Sequence, residues 1–319
     1  MSVNLCKFKI QLFQAGTLCF FIGILIMIKA LTASAGEFPG TKIAVLVSLN
    51  IKPYAEAVQG IDRVLSDAGI NPDTFFLDRY EGKALESLAL KLTRQDYDLF
   101  IAVGPEASGF TWSKFQDKTV YTMVLHPEKI ENTPKKICGI PFNIPVDTQI
   151  KKIEQSLPGL KRIGLLHDPE YNSSFFNQAY EQGIKSGLEI IPLEASSKKE
   201  IPLVLDKNWD KIDCLWMIPD RTIISESIIK YIIKESLLKK IPLIGYNSFF
   251  YESGAAMSFI FNYESLGKQT GETVLKVLKG DLCKDNEPEF QIWLNHKVLN
   301  SLGISFKEID KEKGGYPEQ

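Results

Sequence analysis

Lys42-Ile43-Ala44-Val45-Leu46-Val47, followed by the polar turn Ser48-Leu49-Asn50, is the stretch on which the fold class turns. Five apolar residues in succession, without alternation, suit a strand buried on both faces, as in parallel sheets. After Pro53, the residues Val58, Ile61, Leu65 and Ala68 keep one apolar helical face that ends at Gly69. The same phrase returns along the chain. Thr74–Leu77 is a second strand, followed by a helix over Ala84–Leu92. Asp98–Val103 is a third strand, stopped by Gly104-Pro105, where Pro105 fits the first position of a helix. Val120–Val124 is a fourth.

A second series begins after a helix over Asp147–Leu157. Arg162–Leu166 is its first strand, and Asn172 and Ser173 are placed to cap the next helix. Glu189–Leu193 is an imperfect strand that Pro192 keeps away from a sheet centre. Asp213–Ile218 is a strong strand, Ser225–Leu238 a helix, and Ile241–Gly245 a strand. Between the two series, Ile137-Cys138-Gly139-Ile140-Pro141-Phe142 has the look of a crossover. From Gly254 the pattern changes to one extended segment, a helix over Tyr263–Leu278 and a late strand at Phe290–Leu294. Such a coda implies that the chain crosses between two finished lobes again.

The 319 residues are too many for one small core and suit two lobes. Residues 1–35 read as an export signal: Lys7 and Lys9, an apolar run over Leu18–Ile28, and the small-x-small site Ala33-Ser34-Ala35 before Gly36. The alternative is an uncleaved signal anchor over Ala15–Leu31. Cys19 lies within the apolar run, which argues against a lipoprotein site. Cleavage removes three lysines (Lys7, Lys9, Lys29) and no acid, so the net charge of −2 becomes about −5. A mildly acidic chain is a poor partner for nucleic acid. Of the cysteines beyond the signal, Cys138 and Cys214 lie in apolar runs and read as buried small hydrophobes, with Cys283 left over. The absence of a C-x-x-C argues against a zinc knuckle or a thioredoxin-like site.

Several phrases, in order and spacing, resemble the type I periplasmic substrate-binding proteins of ABC importers, in the branch associated with tryptophan or tyrosine uptake. They are Cys138-Gly139-Ile140-Pro141, Leu157 through Leu166, Ile218-Pro219-Asp220, Lys240 through Gly245, Leu266 through Gly271, Leu294-Asn295 and Leu302-Gly303-Ile304. The resemblance spans nearly all of the chain beyond the signal. It implies two Rossmann-like α/β lobes joined by three crossovers, with the ligand in the cleft between them. On that pattern residues 36–139 and 258–282 form the N-terminal lobe, and 140–257 and 283–319 the C-terminal lobe. It also implies a periplasmic monomer and a membrane permease as partner. A sensory module serving a receptor kinase is the alternative that the residues leave open.

Enzyme motifs are nearly absent. No G-x-G-x-x-G follows a strand and no G-x-S-x-G elbow occurs. Gly104-Pro105-Glu106-Ala107-Ser108-Gly109 has the spacing of a phosphate loop, but Phe110 stands where the lysine belongs. His126, His167 and His296 are far apart. His167-Asp168-Pro169-Glu170 holds metal-type donors, yet sequence neighbours rarely converge on one ion. No catalytic residue, cofactor or metal is therefore expected.

Ligands of parallel α/β sheets collect at the carboxyl ends of the strands. That rule selects Ser48, Asn50, Asp78, Glu106, His126, Asp168, Tyr171, Asn172, Ser173, Asp220, Tyr246 and Asn247 as candidate contacts. Asp220 reads either as acceptor for a ligand ammonium or as a helix N-cap. Asn172 and Ser173, with Ser174, read either as an anion site at a helix start or as an ordinary cap. Tyr171 and Tyr246 offer aromatic walls, whereas Phe176 and Phe249 are better placed as core. The relatives carry a small hydroxyl residue where Pro105-Glu106 stands, a departure that speaks for a cationic or neutral ligand.

Overall fold

A computed structural model describes residues 38–308, apart from 116–117, 223–224 and 284–285. The signal segment expected over 1–35 lies outside these residues. The first sheet is formed by β1 (Ile43–Val47), β2 (Asp73–Phe76), β3 (Leu99–Val103), β4 (Thr119–Val124) and β5 (Gly139–Pro141), all parallel, in the order β2-β1-β3-β4-β5. Helices α1 (Lys52–Asp67), α2 (Lys83–Arg94) and α3 (Pro105–Phe115) connect its strands. Every residue of β1, β3 and β4 is buried, which is why β1 and β3 run apolar without a break and β4 interrupts its run only with threonines.

The second sheet contains β6 (Arg162–His167), β7 (Glu189–Glu194), β8 (Cys214–Met217), β9 (Leu243–Gly245), β10 (Met257–Ile260) and β11 (Gln291–Leu294), in the order β11-β10-β9-β8-β6-β7. All neighbours are parallel except β10 and β11. Pro192 sits in β7, the edge strand, where its missing N–H costs no ladder bond. Helices α4 (Val146–Ser156), α5 (Pro169–Ser186), α6 (Ile201–Asp206), α7 (Glu226–Leu238), α8 (Ser248–Glu252) and α10 (His296–Leu302) belong to this part of the chain.

Helix α9 (Tyr263–Leu278) follows a strand of the second sheet yet packs along α1 and against β4 and β5. The approach is close because Gly60 and Gly267 face the partner backbone. A Cβ on either would run into the carbonyl of Glu264 or of Ala57. The chain therefore passes between the sheets three times: after β5, at Phe261-Asn262, and in the return from α9 to β11. Ser258 was expected on the N-terminal side of the boundary. It lies in β10, whose backbone pairs with β9, so the crossing falls three residues later.

Cys138 and Cys283 form a disulfide, with their Cα atoms 5.4 Å apart. This corrects the reading of Cys138 as an unpaired small hydrophobe. Its partner is 145 residues away, beyond the reach of local pattern, and meets it because the outgoing and returning crossovers lie side by side. The N–H of Asn286 donates to the carbonyl of Gly139 (3.1 Å) in the same place. Cys214 is buried and free, as expected. Among the described residues no helix is long and apolar enough to cross a membrane.

Candidate ligand site between the lobes

The strand ends and crossovers enclose a cavity of about 790 Å³. It is lined from the first lobe by the start of α1 (Lys52, Pro53, Glu56) and by the segment after β4 (Leu125, His126, Glu128, Lys129). The crossovers contribute Phe142, Asn143, Phe261, Asn262 and Tyr263. The second lobe adds Tyr171, Asn172, Phe175 and Gln178 of α5, then Ile218, Pro219, Tyr246, Asn247, Gln291 and Trp293.

The first-lobe lip is set by an irregularity in β4. Met123 has φ +60°, and the pairing of β4 with β5 shifts register between Thr122 and Val124. A bulge of this kind re-aims the side chains that follow it, here Leu125 and His126. Burial, and then the ammonium of Lys129, hold the His126 imidazole pKa below its ordinary value, against the pull of Glu128 at 3.3 Å. The Lys129 ammonium donates across the cleft to the backbone carbonyl of Tyr171 at 3.3 Å. On its other side the Tyr171 ring carries the Arg221 guanidinium, 4.7 Å from its centroid.

Behind the second-lobe wall lies a buried polar knot. Asp220, 2% exposed, accepts from the N–H of Asp168 (2.8 Å) and from Asn172 Nδ2 (2.7 Å) through Oδ2, and from the N–H of Thr222 (2.8 Å) through Oδ1. Asp168, also 2% exposed, accepts from the N–H of Glu170 (2.9 Å) and from the Thr222 hydroxyl. Asn172 interrupts α5 with φ −123°, ψ 15°, and this kink brings its amide to Asp220 while its side chain lines the cavity. Burial and the nearby Asp220 carboxylate push the Tyr246 phenol up to about 12. Tyr246 thus presents a neutral hydroxyl to the cleft at any ordinary pH.

Of the sequence candidates, His126, Tyr171, Asn172, Tyr246 and Asn247 line the cavity. The others do not. Ser48 is buried, and its hydroxyl accepts from the N–H of Ala107 (2.9 Å), capping α3. The Asn50 N–H is taken by Asp78 Oδ2 (2.8 Å). Glu106 is exposed in the first turn of α3 and, after burial itself, is the cause that raises the Tyr54 pKa. Asp168 and Asp220 face each other's loops rather than the cavity. Ser225, not Asp220, caps α7. The helix expected to open at Asn172-Ser173 starts at Pro169 with Asp168 as its cap, so Ser173 is an exposed residue inside it. Asn247 doubles as the cap of α8.

His167, the first of the metal-type donors at 167–170, is buried and stacks on Phe176 at 5.0 Å. Among the described residues no group of three or more metal-type donors converges. The residues that the sequence did not single out come from α1 and the crossovers: Glu56, Phe142, Phe261 and Tyr263, with Trp293 from the late strand. Phe142 and Phe261 lie 4.5 Å apart and Tyr263 joins them at 6.1 Å from Phe142. Aromatics clustered at the crossings, Phe142, Phe261 and Tyr263 at the first position of α9, were the one available signal, although they also pack against the first-lobe core.

The family model described as ABC transporter substrate binding protein matches residues 42–311. A tyrosine-binding protein of Clostridioides difficile (strain R20291) is 23% identical over 277 residues, covering 81% of this chain and 79% of the relative. Among solved structures, the ligand-free, open structure of a substrate binding protein with adhesive properties from Clostridium difficile has a TM-score of 0.71. It is 22% identical and covers 85% of this chain and 97% of its own. An ABC domain in complex with L-Trp from Streptococcus pneumonia has a TM-score of 0.57 at 21% identity, over 84% of this chain and 96% of that one. At these identities the structural likeness speaks to the fold.

Proposed function

The chain belongs to the family of ABC transporter substrate-binding proteins, and from that premise we propose an exported solute receptor that closes its two lobes on a small organic ligand and presents it to a membrane permease. The observation that carries the reading is the cavity of about 790 Å³, lined from both lobes and from the crossovers. That volume lies in the range of about 300–1,000 Å³ used for small organic ligands. A ligand held by both walls binds the closed arrangement better than the open one and shifts the population toward it. Lys129 and Tyr171, already bonded across the gap, form the rim where closure is felt.

The wall chemistry supports an aromatic skeleton of amino-acid size. Tyr171, Phe175, Tyr246, Phe261, Tyr263 and Trp293 supply rings, and Asn172, Gln178 and Asn247 supply amides. The named relatives, one a tyrosine-binding protein and one solved with L-Trp, point to the same class. His126, Tyr171, Asn172, Tyr246 and Asn247 are the proposed ligand contacts. The test is isothermal titration with an amino-acid panel and the related amines, on protein unfolded and refolded to strip any co-purified ligand. A stoichiometric heat with an aromatic member is expected. Silence across the whole panel, in protein shown to be folded, would sink this ligand class.

A further inference from the structure

Resting on the aromatic skeleton just proposed, we infer that the cleft selects an organic cation, an aromatic amine without a free carboxylate, rather than a zwitterionic amino acid. The inference starts from what the helix N-termini at the cleft do with their backbone donors. In α/β lobes these termini are the ready places for a ligand carboxylate. Of the helices that begin at the strand ends and crossovers around the cleft, four carry a proline at the start, Pro53 in α1, Pro105 in α3, Pro145 before α4 and Pro169 in α5, while in α8 and α9 the cap side chains of Asn247 and Asn262 take the N–H of Phe250 and of Ser265. Within α1, α3 and α5 the proline removes an N–H that an anion would use.

Three of these proline-headed helices carry an acid in the first turn, Glu106 in α3, Asp147 in α4 and Glu170 in α5, and α1 carries Glu56 in the turn that follows. Two of the termini are further closed by internal acceptors. The Ser48 hydroxyl takes the N–H of Ala107, and the Tyr54 ring covers Gly104, so that a Cβ there would lie 2.9 Å from it. In α5 the Asp168 carboxylate takes the N–H of Glu170. A carboxylate brought to any of these places meets like charge.

The basic groups do not make up for this. No arginine lines the cavity among the described residues. The Lys129 ammonium is engaged by the Tyr171 carbonyl, and the Lys52 side chain is 87% exposed at the rim.

A cation, in contrast, finds a prepared seat. Of the lining carboxylates, Glu264 is paired with Arg63 and Lys268, at 2.5 and 3.1 Å. Glu128 lies beside His126 on the exposed rim. Glu56 has only the outward Lys52, at 3.7 Å. Glu56 acts electrostatically on Tyr263, which lines the cavity with Phe142 and Phe261. A carboxylate beside a cluster of ring faces is the pairing that holds an organic ammonium, by charge-assisted hydrogen bond and by cation–π attraction.

The experiment titrates the stripped protein with three probes that share one ring: tyrosine, tyramine and 3-(4-hydroxyphenyl)propionate, and with the matching indole series. The expected order in at least one series is amine first, tighter than the amino acid by about tenfold, with no heat from the acid. Glu56→Gln is expected to weaken the amine about tenfold while leaving the thermal melt of the unliganded protein unchanged. An amino acid that binds tighter than its amine overturns the inference and leaves the aromatic-ligand reading standing. Equal binding of amine by Glu56→Gln and the native protein overturns the seat at Glu56. No binding of any probe in either series overturns both the inference and the ligand class on which it rests.

Discussion

The two lobes are built from one strand–helix phrase but are sealed by different chemistry. In the first lobe the strand-end loops carry single polar contacts and, among the described residues, no buried carboxylate: Asp78 on the exposed Asn50 N–H, and the buried Ser48 hydroxyl on the Ala107 N–H. What holds that lobe is the glycine-mediated contact of α1 with α9 and the Cys138–Cys283 bond. In the second lobe the strand ends of β6 and β8 are knit by two buried carboxylates, Asp168 and Asp220, with donors from the two segments that follow these strands. The difference follows from connectivity. The first lobe includes a helix that arrives from the other lobe and must be pinned from outside. The second lobe closes mainly on itself, and its polar groups are deep enough to need mutual satisfaction.

That contrast predicts a ranking. Asp220→Ala strips an acceptor from three donors, two of them inside the buried knot, and is expected to cost about 3–5 kcal/mol. Asp78→Ala in the first lobe frees one exposed N–H and should cost under about 1 kcal/mol. Guanidinium unfolding monitored by tryptophan fluorescence measures both, in backgrounds that keep one of the four tryptophans, Trp112 for the first lobe or Trp216 for the second, with the others changed to Phe. Similar values for the two variants would erase the distinction.

Next comes the disulfide. Cys138→Ser with Cys283→Ser is expected to cost about 2–4 kcal/mol, because the bond closes a loop over a sequence separation of 145 residues. The early unfolding should be read by Trp112, and a loss confined to the Trp216 signal would place the bond's effect in the wrong lobe. Gly267→Ala forces a Cβ against the Ala57 carbonyl and should cost about 1–3 kcal/mol as α1 and α9 move apart. An unchanged melt would show that the helix pair is not the clamp described.

The smallest effect belongs to Asp213, just before β8 and beside Arg162 at the start of β6. Burial works to raise its pKa, but the hydrogen bonds and charge of Arg162, with the Lys161 N–H, hold the carboxyl below its ordinary value. A depressed folded pKa gives stability that is present above the unfolded pKa and is lost as pH falls through the folded one. Both side chains are partly exposed, so solvent screening keeps the contribution under about 1 kcal/mol. Arg162→Gln should lower stability at neutral pH by up to that amount, flatten the acid limb of the profile below about pH 4, and leave stability little changed at pH low enough to protonate Asp213 in both states.

Much of this architecture was legible beforehand. Unbroken apolar runs located β1, β3 and β8, and mainly apolar runs β4 and β6, because both faces of those strands are buried, and Pro192 marked an edge because a missing N–H is tolerated only there. The candidate site was less legible. Strand-end position placed His126, Tyr171, Asn172, Tyr246 and Asn247 on the cavity wall. It gave Asp220 and Ser48 the same standing, although their side chains are turned to neighbouring loops. Glu56 and the Phe142–Phe261–Tyr263 cluster were missed, since their place in the cleft depends on α9 returning to α1 and not on any local pattern.

Apolar runs and turn chemistry by themselves determined two α/β series of mostly parallel strands, and the resemblance carried by the crossover phrases implied three passages between them with a ligand cleft. The two series rest on short-range rules of burial and backbone geometry, which a sequence states directly. Only the tertiary structure decided that Cys138 meets Cys283, that Asp220 holds Asn172 in place of a ligand, and that Glu56 stands beside aromatic faces. Each joins groups 48 or more residues apart whose direction is set by packing, and a one-dimensional pattern carries no record of where a side chain points once its helix or strand is laid down.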